Sequence, residues 1–533
     1  MTRKRVYLLF FSLAVLANIL MLRLYTLMSD ARYAEAADRQ STYTSVIARR
    51  RPDFYDRNGR LLTGIDSAEL AVVLPADAAA WSLTDFIAPS DLAAFRDGMK
   101  GSLPFVVPLA SPLPAALPVR TVSVSGRSGR FSLARHLIGY LDYAGKGATG
   151  LERVFETYLS ENTVEELLRV RTDARGRALD GADISLCADG QSAGGIVLTL
   201  DAGIQYAAER IADSSFRRGA IVVADCATGE LLALVSRPNY DQNDVAASIA
   251  RNDTSLFDRV TACFNVGSVY KPVIACAALD AGVGADFTYE CTGEIEVDGV
   301  VYGCNNKKAH GTMTLETALA QSCNTYFIAL GQKVGAEAIC NTAQAMGLGR
   351  PLSLWDGYGA GEGSFPGERA LAADTAELCN HCFGQGRLLL SPLHVAACTV
   401  CIADGGVYRE LSVVKSVGGE AAPAPRERRA VGEAAARTVA QAMCLAMQSG
   451  TGAASAPQTV TAGGKTGTAQ TGTFNDDGSE AVIGWCTGFF PAQAPRWTVT
   501  VMVENEGYGY ESAAPVFGRL ADAITALERA ETA

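Results

Sequence analysis

Three short motifs follow one another along this chain and constrain its fold more than any other feature: Ser268-Val269-Tyr270-Lys271, then Ser322-Cys323-Asn324, then Lys465-Thr466-Gly467. Singly, such patterns arise by chance in 533 residues, as Ser412-Val413-Val414-Lys415 and Ser160-Glu161-Asn162 illustrate. Context separates them. Leu411 to Val414 reads as a strand, which turns a lysine three residues on away from the serine, and Ser160 precedes every candidate nucleophile. Gly267 stands just before Ser268, and the apolar run Pro272 to Leu279 follows Lys271. A turn feeding a buried helix puts Ser268 and Lys271 one turn apart on one face.

That pairing suits acyl transfer. A serine hydroxyl becomes an effective nucleophile when a neighbouring base takes its proton, and a lysine is such a base once burial or a second cation destabilises its ammonium form. Lys465 is the expected second cation. Ser322 is expected to relay the proton towards a leaving nitrogen, and the Asn324 amide to hold a peptide carbonyl. Thr466 and Thr468 offer hydroxyls to a substrate carboxylate, with Gly467 between them in the same substrate-binding set. The backbone N–H groups of Ser268 and Thr468 are the expected oxyanion hole, each donor worth roughly 3 to 4 kcal/mol.

With these residues in hand the chain resembles the class B, monofunctional penicillin-binding proteins, the peptidoglycan D,D-transpeptidases, which share the three motifs with serine β-lactamases. The likeness extends to Ala220-Ile221-Val222-Val223-Ala224-Asp225, Val235 to Asp241, His310 to Leu315, Gly384-Gln385-Gly386 with Ser391-Pro392-Leu393, and Gly484 to Pro491. Weaker marks lie in Asp56-Arg57-Asn58-Gly59, Ala134 to Gly139 and Gly150-Leu151-Glu152. Arg51-Pro52 stands where the family usually has Arg-Gly, and Asn265-Val266 where a proline is common. The resemblance implies an α+β chain: an amino-terminal transmembrane helix, a strand-rich elongated pedestal, and a transpeptidase-like catalytic domain of antiparallel sheet flanked by helices. It also implies attack on D-alanyl-D-alanine stem peptides, inhibition by β-lactams, and a polytopic glycan polymerase as membrane partner.

Arg3, Lys4 and Arg5 precede Val6 to Leu22, a mostly apolar stretch near the length that spans a bilayer. Leading positive charge places the amino terminus in the cytoplasm and the rest outside. The competing cleavage site, Ala34-Glu35-Ala36, lies far beyond the apolar run, so the anchor is expected to be retained. The expected division is residues 1–25 as tail and anchor, 26–200 as stalk and non-catalytic pedestal, and 201–533 as the transpeptidase domain. Asp30 to about Arg50 reads as a helical stalk, and Thr163 to about Arg175 as one of few helices in the pedestal. A helix is expected from Ala202 and a terminal one over Phe517 to Arg529, with no accessory domain after it.

Other patterns weigh less. Gly190-Gln191-Ser192-Ala193-Gly194 matches a nucleophile elbow, but strands on both sides read it as a turn. Cys379-Asn380-His381-Cys382 and Cys398-Thr399-Val400-Cys401 have a zinc spacing, yet the second pair falls in an apolar helix where cysteines behave as small buried residues. No metal or cofactor is expected. Cys291 and Cys304 flank a hairpin with an Asp298-Gly299 turn, within reach of a disulfide. Fourteen cysteines in an exported chain mean several buried thiols or a reducing environment. A net charge of −11 without a basic stripe excludes a nucleic-acid partner. Two alternatives stand beside transpeptidation: a non-catalytic β-lactam-binding scaffold or sensor, and a D,D-carboxypeptidase that transfers to water.

Overall fold

Val164–Arg171 and Thr42–Arg50 both form strands, where helices were expected, and they pair with each other across more than a hundred residues. The computed structural model of the chain describes all residues except 1–2, 34, 36–40, 130, 174, 180–183, 191–193, 285, 476 and 533. The elbow serine, Ser192, and both alanines of the cleavage pattern, Ala34 and Ala36, therefore lie outside the described residues. The described chain forms two compact units.

The smaller unit comprises Met1–Arg51, Asp66–Arg127 and Glu161–Ser192. Its helix Arg3–Ser29 buries no side chain and is, among the described residues, the one helix long and apolar enough to cross a membrane. Thr42–Arg50, Val164–Arg171 and Ile184–Asp189 form a three-stranded antiparallel sheet. Leu168 and Val170 alternate into a small core, and Arg49 pairs with Glu165 on the exposed side. Glu, Leu and Arg in this segment favour a helix locally; cross-strand burial, which no local window reveals, overrides that preference. A second sheet has Asp66–Val73 between Phe105–Pro108 and Thr121–Gly126. Leu70 and Val72 face one core while Ala71 and Val73 face another, so the run from Leu70 to Val73 is apolar throughout.

The larger unit comprises Pro52–Ile65, Ser128–Ser160 and Ala193–Ala533. Its boundaries differ from the single cut expected at residue 200, for physical reasons. Phe54–Tyr55 pairs in parallel with Ile196–Leu198, the Asp56 carboxylate accepts from the Ala202 N–H at 3.1 Å, and Leu137, Ile138 and Leu151 enter the main core.

A five-stranded antiparallel sheet centres this unit, in the order Leu231–Arg237, Gly219–Asp225, Trp497–Glu504, Glu480–Phe490, Gly463–Phe474. Ile221 and Val223 pack towards helices Ala202–Ser215 and Ala513–Thr532. Ala220, Val222 and Ala224 point to the opposite core, shared with helices Lys271–Asp280, Pro392–Ala403 and Glu433–Gln448. Covering both faces is why these strands read as unbroken apolar runs. Helix starts are capped as their sequences dictate. Asp201 accepts from the N–H groups of Gly203 and Ile204, and Ser391 with His394 closes a capping box.

Because Ile221 is fully buried in the sheet, Ile221→Ala should lower unfolding stability by about 2 to 5 kcal/mol. Val301, 58% exposed on the hairpin, should change stability by less than about 0.5 kcal/mol when replaced by alanine. Urea unfolding of the two variants would measure both, and equal losses would contradict the two-sided covering of the sheet.

Candidate active site

Gly267 begins a single 3-10 turn, Gly267–Tyr270, that leads into the helix Lys271–Asp280. Its φ is +61°, a region that favours glycine, and a Cβ there would lie 2.5 Å from the Thr468 carbonyl oxygen. The turn therefore sits directly against strand Gly463–Phe474, and a Cβ on Gly467 would approach the Val269 nitrogen to 2.9 Å. The Gly267 N–H donates to the Gly384 carbonyl at 2.8 Å, and Trp485 Nε1 donates to the Asn265 carbonyl at 2.8 Å. Half-buried Ser268 is reachable from solvent, while every residue from Lys271 to Ala278 is buried.

Lys271 joins the first motif to the second. Its Nζ donates to Asn324 Oδ1 at 2.6 Å, to the Ser322 carbonyl at 2.8 Å and to Ser322 Oγ at 3.2 Å. It also lies 5.5 Å from the centre of the Phe327 ring. Ser322 adopts φ +57°, a left-handed conformation that costs a side-chain-bearing residue about 1 to 3 kcal/mol and persists where surrounding contacts hold it. Asn324 Nδ2 donates to the Gly303 carbonyl at 2.9 Å, so the amide bridges the hairpin and the lysine.

The third motif lies along the sheet's edge strand, beside the turn. Lys465 is fully buried and its Nζ donates to the Thr466 carbonyl at 2.7 Å. The hydroxyls of Thr466 and Thr451 share a hydrogen bond at 2.7 Å, and Thr468 Oγ1 accepts from the Gly509 N–H at 3.0 Å. Thr451 and Gly509 were not singled out from the sequence; their glycine-rich surroundings, Gly450 to Gly452 and Gly507 to Gly509, were the available signal.

Burial pulls the Lys271 ammonium down to about 7, opposed by the neighbouring sulfurs of Cys323 and Cys304. Burial likewise holds Lys465 well below the ordinary lysine range, and the charge of Lys271 adds to that depression. Desolvation, rather than the second cation expected from the sequence, is thus the main cause at Lys271. A lysine able to lose its proton near neutral pH thus follows directly on the turn that carries Ser268, and its hydrogen bonds run to Ser322 and Asn324.

The remaining sequence candidates are placed elsewhere. Ser412 is extended and bridges to Glu230, and Ser160 lies in a short helix with its hydroxyl on Glu156. Cys398 and Cys401 are buried within Pro392–Ala403, and Cys379 and Cys382 within Thr375–Cys382. The Asp298-Gly299 turn forms as expected, with φ +49° and +79°, between Glu294–Val297 and Val300–Gly303. Cys291 and Cys304 are free thiols with their sulfurs 3.8 Å apart.

The family model described as Penicillin binding protein transpeptidase domain matches residues 219–522, which takes in all three motifs. The chain belongs to that family. It is 29% identical over 400 residues to the peptidoglycan D,D-transpeptidase FtsI of Escherichia coli K12, covering 72% of this chain and 64% of FtsI. It is 28% identical over 414 residues to the stage V sporulation protein D of Bacillus subtilis 168, covering 73% of this chain and 62% of that protein. The chain therefore spans less than two thirds of the length of these relatives. Among solved structures, one described as structural coordination of polymerization and crosslinking by a peptidoglycan synthase complex aligns with a TM-score of 0.73 at 25% identity, covering 98% of each chain. The D,D-transpeptidase domain of a peptidoglycan glycosyltransferase from Eggerthella lenta aligns with a TM-score of 0.65 at 22% identity, over 90% of this chain and 98% of that one. The latter likeness concerns the fold.

With Lys271 as the expected base for Ser268, its protonated form would be inactive, and the active fraction should grow as pH rises through about 7. Acylation by a penicillin should climb about tenfold per pH unit below that point and level off above it. Lys271→Arg, whose guanidinium stays protonated, should acylate at least about 100-fold more slowly and lose the rise near neutrality. Stopped-flow acylation across pH 5 to 9 reads both, and a flat wild-type profile would remove Lys271 from the role of base.

Proposed function

We propose that this protein is a serine-type D-alanyl-D-alanine transpeptidase that cross-links peptidoglycan stem peptides and is acylated by β-lactams. The observation that carries the reading is the meeting of a half-buried serine, a buried lysine of lowered pKa and the Ser322–Asn324 loop against the strand bearing Lys465-Thr466-Gly467. The name of FtsI supports it.

In this mechanism Lys271 takes the Ser268 proton while Ser268 Oγ attacks the carbonyl of the penultimate D-alanine. The Ser268 and Thr468 N–H groups hold the tetrahedral oxyanion. Collapse breaks the peptide C–N bond, and the proton passes from Lys271 through Ser322 to the departing D-alanine amine. Asn324 holds a stem-peptide carbonyl, and Thr466, Gly467 and Thr468 cradle the terminal carboxylate. An amine from a neighbouring stem then attacks the ester, loses its proton to the same base and releases Ser268. β-Lactams enter the first half-reaction, and their ring amide takes the place of the scissile bond.

The apolar helix Arg3–Ser29 serves as a single-pass anchor, and Arg3, Lys4 and Arg5 orient its amino terminus to the cytoplasm. Residues 26–200 then act as a pedestal, and residues 201–533 carry the acyl-transfer machinery outside the cell membrane. A polytopic glycan polymerase is the membrane partner this arrangement suits, a reading favoured by the synthase-complex likeness.

Mass spectrometry after exposure to penicillin should find one adduct, at Ser268, absent from Ser268→Ala. With donor and acceptor stem peptides the wild type should release D-alanine and form the cross-linked dimer. An adduct that persists in Ser268→Ala, or penicillin binding without any peptide turnover, would overturn the proposal.

A chain starting near Asp30 should be acylated by penicillin at the full-length rate, because the motifs all lie beyond residue 219. It should fail to support wall synthesis in cells, where the donor is lipid-linked. Growth equal to that given by the full chain would show that tethering is dispensable.

A further inference from the structure

The thiols of Cys291, Cys304 and Cys323 and the imidazole of His310 converge behind the Ser322–Asn324 loop, with their ligand atoms within 4.8 Å of one another. We propose that these four residues form a tetrahedral site for one zinc ion that clamps this loop to the preceding hairpin. The site stands apart from the acyl-transfer reading, since its occupancy is measured without substrate.

Two hairpins and a helix start bring the ligands together. Cys291 ends the strand Tyr289–Cys291, which pairs with Gly311–Met313 so that Cys291 faces Gly311 and His310 arrives alongside. Cys304 follows directly on the hairpin strand Val300–Gly303. Cys323 is the N-cap of the eleven-residue helix Asn324–Val334. In sequence the four are separated by thirteen, six and thirteen positions, so no C-x-x-C signature advertises them.

The distances suit a metal. Zinc–sulfur bonds of about 2.3 Å directed to the corners of a tetrahedron set sulfurs about 3.8 Å apart. The Cys291–Cys304 and Cys304–Cys323 sulfur separations are both 3.8 Å. His310 Nδ1 lies 3.3 Å from the Cys291 sulfur, in keeping with a zinc–nitrogen bond of about 2.0 to 2.1 Å. Three sulfurs and one imidazole nitrogen are a soft set that selects zinc over magnesium or calcium, and they fill all four positions of a structural site.

One hydroxyl serves all three sulfurs. Thr325 Oγ1 lies 3.4 Å from the Cys323 sulfur and 3.8 Å from that of Cys304. The Thr325 hydroxyl donates to the Cys291 sulfur at 3.1 Å. A hydroxyl so placed at the start of the helix helps to fix the direction of the ligands. A disulfide between two of the cysteines would leave the third sulfur and the imidazole aimed at the same space. On binding, each coordinating thiol gives its proton to solvent and no electron is transferred.

The ion's position gives it a consequence. Cys323 is the middle residue of Ser322-Cys323-Asn324, so coordination pins the backbone on both sides of it, including the left-handed Ser322 whose carbonyl receives Lys271.

The full-length chain, purified in detergent without chelator, should carry about one zinc per chain by atomic emission. Cys304→Ser and His310→Ala should lower that content at least about tenfold, while Cys444→Ser, outside the cluster, should leave it unchanged. A second measurement does not depend on the variants folding. The wild-type chain, stripped of metal under reducing conditions and given Co2+ alone, should show thiolate-to-cobalt charge-transfer absorption that Zn2+ abolishes. Absence of both metal and cobalt bands, a Cys291–Cys304 disulfide in the purified chain, or undiminished zinc in Cys304→Ser would each overturn the site. Zinc-loaded chain that penicillin fails to label would instead refute the transpeptidase reading and leave the metal site standing.

Discussion

The buried ammonium of Lys271 is the group around which the centre is organised. A charged amine removed from water is costly unless its donors are matched, and three acceptors from the Ser322–Asn324 segment supply that match. The lysine belongs to one helix and its acceptors to the start of another, so neither segment is free to settle without the other. The same burial that demands these partners lowers the cost of losing the proton. The clamp and the proposed base are thus one residue seen at two protonation states.

The sheet supplies the third side. Gly463–Phe474 is the last strand in the order, so its outer side meets a turn rather than a sixth strand. The turn at Gly267 fills that place, and glycine at 267 and 467 lets the two backbones approach more closely than side chains would permit. Lys465 emerges from this strand into the same buried region as Lys271, and two ammonium groups so placed repel. Burial, first, and repulsion from Lys271 both lower Lys465.

What the sequence made legible follows from the range of the forces involved. Ser268 to Lys271 and Lys465 to Gly467 were readable because the first spans a turn and the helix it runs directly into and the second lies within one strand, so local spacing sets the face a side chain takes. The Asp298-Gly299 turn and the Ser391 cap were readable for the same reason. Thr42–Arg50 and Val164–Arg171 were not, since their strand character comes from pairing with each other. The compact unit that holds the motifs also takes in segments before residue 200, because Phe54 and Leu137 enter a core built mostly from residues far downstream. Missing the Cys291, Cys304, His310 and Cys323 cluster has a similar origin: two turns and a helix cap create the proximity, and a search for closely spaced pairs looks instead at Cys398 and Cys401, which pack as apolar residues.

The abundance of cysteine then divides into two cases. Cys382, Cys398, Cys401 and Cys486 lie in apolar surroundings, and burial pushes their thiols up, to about 12 for Cys401 and Cys486. Because the thiolate is the species that exchanges and oxidises, these residues are inert packing groups in any compartment. The cluster beside Ser322 differs, since its three sulfurs lie next to one another and within 3.1 to 3.8 Å of the Thr325 hydroxyl. A metal-bound thiolate is withheld from disulfide formation, so coordination would let the loop keep three neighbouring cysteines even in oxidising surroundings. The position of Cys323 sharpens the point, because oxidation there would disturb both Ser322 and Asn324, whereas a four-coordinate ion holds them in place.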